Sequence, residues 1–164
     1  MARNLWVLVA AVLLGVPAAA GAQAVVSLRS ISQNAAREAA TVALETCRKN
    51  GYNVTVTVLN RTGRTVVVLH DDLANPHTVE NSLRKAYTSL TFRVPSGEWG
   101  KRITARPTAT GALHLDKVTT LEGALPIMAG KEVVGAIGIS GAPGGEKDAV
   151  CAQAGIDKIA GGLK

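Results

Sequence analysis

The chain has 164 residues, with 18 Lys and Arg against 12 Asp and Glu for a net charge of +6, and only 3% of it is aromatic. That length bounds it to about one domain of ordinary size. Beyond the first residues the aromatics are only Tyr52, Tyr87, Phe92 and Trp99, too few for a nucleic-acid surface built on stacked bases.

At the start, Arg3 is followed by an apolar run from Leu5 to Val16, then Pro17 and Ala20-Gly21-Ala22, the form of a secretory signal with a small-residue cleavage site. The run is shorter than the about 20 residues of a membrane-spanning helix. Cleavage near Ala22 divides the chain into a signal peptide, residues 1–22, and one mature domain, residues 23–164, and makes the protein secreted or periplasmic. That location argues independently against a nucleic-acid partner. In an oxidising compartment Cys47 and Cys151 form either a disulfide or two small buried thiols. Sequence cannot place their Cα atoms within about 7 Å, so both stay open.

Ser30-Ile-Ser-Gln33 resembles a capping box, and Ala35, Ala39, Val42, Ala43 and Cys47 recur at helical spacing until Asn50-Gly51, which predicts a first helix. Val54 to Leu59 and Thr65 to Leu69 are β-rich runs joined by Asn60-Arg-Thr-Gly63-Arg, a first hairpin with Gly63 at the positive-φ position. Asn75-Pro76-His77-Thr78 opens a second helix through about Phe92, with Val79, Leu83, Ala86 and Leu90 on one face and Pro95 beyond its end. From Ser96 to Glu122 the chain is rich in Gly, Thr and Pro, a long irregular segment with one short helix near Trp99. Leu125 to Met128 and Val133 to Ile139 flank Ala129-Gly130-Lys131-Glu132 as a second hairpin. Gly135, Gly138 and Gly141 leave one face of its second strand open to close approach. Gly141-Ala-Pro-Gly-Gly145 then turns into a last helix, to about Ile159, with Glu146 and Asp148 in its first turn, where the helix dipole favours them.

Few residues carry chemistry. Gly138-Ile-Ser-Gly141 lacks the Gly-Lys-Ser/Thr of a phosphate loop, Ser140 has no Gly-x-Ser-x-Gly frame, and no two histidines have zincin spacing. His70, His77, His114 and Met128 remain as groups able to ligate a haem iron. From Arg84 to Arg106 the bases Arg84, Lys85, Arg93, Lys101, Arg102 and Arg106 face only Glu98, a charge that draws an anionic ligand. Arg matches a carboxylate through two parallel bonds and Lys acts as a point charge, which suits the paired propionates of a tetrapyrrole. Glu80 and Arg84 stand four apart and equally make a surface pair. Many alanines and a flat Gly/Val sheet give a thin core, so a symmetric homo-oligomer is expected.

The combination of His70-Asp71-Asp72, Pro76-His77-Thr78-Val79-Glu80, Arg84-Lys85-Ala86-Tyr87-Thr88, Gly123-Ala-Leu-Pro126-Ile, Gly135-Ala-Ile-Gly-Ile-Ser-Gly-Ala-Pro-Gly-Gly-Glu146 and Cys151-Ala-Gln-Ala-Gly155-Ile resembles the GlcG/HbpS family of haem-binding proteins. The resemblance implies an α+β fold, a single layered domain whose central antiparallel sheet is flanked by helices, profilin-like or roadblock-like. It also implies haem or another tetrapyrrole as cofactor, a homo-oligomer, and a membrane sensor protein as partner. His77 is the first-choice iron ligand and His114 the second, with Arg84 and Lys85 as pocket or propionate contacts. A binding protein that sequesters or reports haem is expected. Two alternatives stand beside it: a haem-degrading or peroxide-reactive enzyme, against which no acid, base or nucleophile triad accompanies the histidines, and a binder of another small anionic metabolite.

Overall fold

The computed structural model describes residues 24–164; the signal peptide read over residues 1–22 lies outside the described residues. Helix α1 (Gln33–Lys49) leads into strands β1 (Thr55–Asn60) and β2 (Thr65–His70), then helices α2 (His77–Phe92) and α3 (Ser96–Thr104). A 3-10 turn over Pro107–His114 precedes strands β3 (Ala124–Ala129) and β4 (Glu132–Ser140) and helix α4 (Gly145–Ile159). The strands form one antiparallel sheet in the order β2-β1-β4-β3. The α+β fold, both hairpins and their turn glycines match the expectation, with Gly63 at φ 78° and Gly130 at φ 61°.

One sheet face is an apolar core. Val56 lies opposite Ile139, and Val58 opposite Ile137; all four are fully buried and pack with Ala36, Ala39, Ala40 and Ala43 of α1 and Ala152 of α4. Burying each such side chain contributes about 1.5–3 kcal/mol. The small residues let α1 and α4 approach closely, since a Cβ on Gly155 would collide with the Ala39 carbonyl oxygen. Cys47 and Cys151 are joined across this contact as a disulfide, with Cα atoms 5.6 Å apart, so the choice that sequence left open is settled by helix packing.

Two local expectations are corrected. The cap of α1 is Ser32 rather than Ser30: the Ser32 hydroxyl accepts from the Ala35 amide at 3.2 Å, while the Ser30 hydroxyl accepts from the Arg61 amide. The Ile31 amide donates to the Val134 carbonyl at 2.9 Å, which holds the chain extended until Ser32. The second correction concerns the start of α2: Ala86 and Leu90 are buried as expected, with Leu83 packed beside them, but the buried face also takes in Thr78, Ser82, Lys85, Thr88 and Ser89 and leaves Val79 43% exposed. The reason lies in the sheet beneath it: Thr55 and Thr57 point toward α2, and their hydroxyls pair with those of Thr78 at 2.7 Å and Ser82 at 2.8 Å. Most buried hydroxyls are paired, and these pairs turn the polar stripe of the helix inward. Gly138 makes the contact close, because a Cβ there would collide with the Ser82 carbonyl oxygen and lie 2.6 Å from the Ala86 amide nitrogen.

Candidate functional site

The end of β4, the turn after it and the first turns of α2 and α4 enclose a cleft of about 390 Å³. Its volume falls in the range of small-molecule sites, about 300–1,000 Å³. Thr78, Lys85, Ser140 and Asp148 line it and are buried, forming its floor; His77, Leu121 and Pro143 line it and are exposed, forming its rim.

At the floor Lys85 Nζ donates to Asp148 Oδ2 at 2.8 Å and to the Ile139 carbonyl at 3.0 Å, with the two side chains only 6% and 2% exposed. The Ala142 amide donates to Asp148 Oδ1 at 3.0 Å. Each atom of the pair is thereby supplied with partners, as a buried ion pair requires. Burial pushes the Asp148 carboxyl up, with the Lys85 ammonium pulling against that rise. Gly123 makes room for the pair: its φ of 127° is closed to most side chains, and a Cβ there would stand 2.9 Å from Lys85 Nζ.

A hydrogen-bond chain leads away from the cleft. Thr78 Oγ1 donates to the Asn75 carbonyl at 2.6 Å, so it accepts from Thr55 Oγ1, which in turn accepts from His70 Nδ1 at 2.6 Å. That order places the proton of a neutral His70 on Nδ1 and leaves Nε2 free as an acceptor.

The sequence-derived candidates separate here. His77 and Lys85 both line the cleft, one at the rim and one at the floor. Arg84 is half-exposed and pairs with Glu80 at 2.8 Å, the surface pair that its spacing allowed. His114 is exposed at the end of the 3-10 turn and does not line the cleft. The basic segment does not converge, because Lys85 is held by Asp148, Arg84 by Glu80 and Arg102 by Glu98. Asp148, Ser140 and Glu122 are site residues that sequence reasoning missed. The signal available for Asp148 was read as a helix-dipole preference, and a lysine of another helix 63 residues away leaves no local trace. Among the described residues no three His, Cys, Asp or Glu are grouped to hold a metal ion.

The layered fold and its polar cleft define a small α+β ligand-binding domain. The family model described as haem degrading protein HbpS-like matches residues 31–157, and the chain belongs to that family. It is similar to a solved double mutant of Streptomyces reticuli HbpS at 33% identity, covering 87% of this chain and 95% of that one with a TM-score of 0.77. A second HbpS structure is 34% identical over 82% of this chain and 93% of that one, also at 0.77. PduOC, solved as a haem complex, shares the fold at 23% identity, with 79% and 95% covered and a TM-score of 0.71. No curated protein matches the chain.

Proposed function

We propose that the protein is an extracytoplasmic haem-binding protein that sequesters haem or reports it to a membrane partner, working as a homo-oligomer. The observation that carries this reading is the pairing, in one cleft, of an exposed imidazole, His77, with a buried cation, Lys85. The family description and the solved haem complex of the same fold support it. The residues present fit the group: the His77 imidazole can ligate iron, and Leu121, Ala142 and Pro143 offer apolar surface beside it. Bound haem would supply an iron centre whose reactivity its axial ligand tunes. Arg84 and Lys85 are proposed as propionate contacts, with His114 as the alternative ligand.

The test is an absorbance titration of the mature protein with haemin. A saturable Soret shift near one haem per chain is expected, lost in His77→Ala and kept in His114→Ala. Absence of a saturable shift in the wild-type protein would overturn the reading, and loss only in His114→Ala would move the ligand. Product analysis under reductant and oxygen separates binding from degradation.

A further inference from the structure

The floor of the cleft holds hydrogen-bonding capacity that the protein itself does not use. Ser140 is 4% exposed and lies opposite Thr55, whose side chain reaches α2, so Ser140 points to the same side and into the cleft that it lines. Among the described residues its hydroxyl has no partner, and its oxygen is not sealed from the cleft in the way that the orphaned Trp99 indole nitrogen is. Lys85 Nζ has three N–H donors, of which two are taken by Asp148 and Ile139. The third has no partner among the described residues, and Lys85 and Ser140 line the same cleft.

Two helix starts add to this. Neither α2, which begins after Pro76, nor α4, which begins after Gly144, has a side-chain cap. His77 and Gly145 of their first turns line the cleft; the Thr78 and Lys147 amides already donate to the Asn75 and Gly144 carbonyls at 3.0 Å, which leaves the His77, Gly145 and Glu146 amides as the first-turn donors that favour negative charge. The acidic groups do not cancel this preference uniformly. Both Asp148 oxygens are engaged, whereas Glu122, which also lines the cleft, is half-buried and has no ion-pair or hydrogen-bond partner among the described residues. The cleft thus presents unused donors at its floor and Glu122 in its wall, where the Glu122 side chain runs past Gly97, while the Glu146 carboxylate lies back against Gly144 at the start of α4.

We propose that this floor is a subsite for a small carboxylate that also carries a hydrogen-bond donor. Ser140, the third Lys85 N–H and the first-turn amides of α2 and α4 hold the carboxylate, and Glu122 accepts from the donor. The inference needs no haem; its failure would remove Lys85 as a propionate contact and leave iron ligation by His77 to the haemin titration. A haem propionate offers the same carboxylate without the donor, so the experiment separates the two sources.

The mature, haem-free protein is titrated with sodium acetate and separately with glycine, following backbone amide resonances by NMR. The His77, Thr78, Gly145 and Glu146 amides are expected to move saturably. Glycine should bind roughly tenfold more tightly than acetate, because its ammonium reaches Glu122 by a charge-assisted bond. Ser140→Ala, which removes one hydroxyl, should weaken both probes by about tenfold, and Glu122→Gln should remove only the advantage of glycine. No saturable movement at these amides, or unchanged affinity in Ser140→Ala, would overturn the subsite; an undiminished glycine advantage in Glu122→Gln would overturn the role of Glu122. Once acetate binding is established, displacement by haemin but not by its dimethyl ester assigns the site to the propionate, and binding indifferent to haemin assigns it to a free carboxylate.

Discussion

The two faces of the sheet are built on different principles. Beneath α1 and α4 the contact is apolar and cross-linked, with valines and isoleucines of β1 and β4 against alanines and the Cys47–Cys151 bond across the helices. Beneath α2 a smaller apolar cluster of Leu59, Ala86, Leu90, Val133 and Ala136 is joined by hydroxyl pairs, a glycine that lets backbones touch, and the Lys85–Asp148 pair. Apolar packing is non-directional, and large sequence changes are tolerated if volume is kept. Hydrogen-bonded contacts are directional, and leaving one buried partner unsatisfied costs more than the bond contributes. The polar face therefore positions groups accurately at the cleft, while the apolar face holds the domain together.

Three perturbations sharpen this contrast. Gly138→Val forces α2 off β4, and a loss of more than about 4 kcal/mol is expected, the scale reserved for disruptions of buried packing. Loss of the cooperative thermal transition by circular dichroism is the readout, and a near-native melt would show that the close contact is dispensable. Replacing Cys47 and Cys151 together by Ala opens a bridge between residues 104 apart, expected to cost about 4 kcal/mol in denaturant unfolding through the entropy of the unfolded chain. The cleft should survive that change in the fraction still folded, because the disulfide joins the opposite face.

The smallest effect concerns two buried carboxylates of opposite behaviour. The Arg48 side chain donates to Asp71 at 2.6 Å and holds its carboxyl below the ordinary value of 3.8. This group's stabilisation is present above pH 3.8 and is lost as pH falls through the lower folded value. Asp148 has the opposite sign: its carboxyl is raised by burial, so its contribution is greatest below pH 3.8 and is lost as pH rises through the folded value. Asp71→Asn should thus be less stable than wild type at neutral pH, with the gap closing in strong acid. Asp148→Asn should show a gap that changes instead as pH rises above 3.8. Melting temperatures from neutral pH to about pH 2 check both, and parallel curves for either variant would refute its assigned shift.

Much of the fold was legible because its signals are local. Asn60 to Arg64 and Ala129 to Glu132 carry turn chemistry that depends on neighbours a few residues away, and both hairpins form where that chemistry places them. The alanine spacing of α1 likewise announced a helix, and the glycine spacing of β4 announced close approach. The inward face of α2 was legible at Ala86 and Leu90 but not at its start, since Val79 outranks Thr78, Ser82 and Lys85 on any apolarity scale. Only the hydroxyls of β1 beneath the helix reverse that ranking.

The site divides in the same way. His77 and Lys85 were named from their own chemistry, and the cleft contains both. Ser140, Glu122 and Asp148 draw their meaning from groups far along the chain: Asp148 from Lys85, Ser140 from the space between two helix starts, Glu122 from having no ion-pair partner among the described residues. By itself the sequence determined the elements, their turns and the family, because propensity, capping and spacing act over a few residues. Tertiary structure alone decided that the two cysteines meet, that Lys85 turns inward to Asp148, and that a cleft opens between two uncapped helices. Burial and pairing are properties of the assembled domain, where removal from water makes each polar group depend on the partner that the fold brings to it.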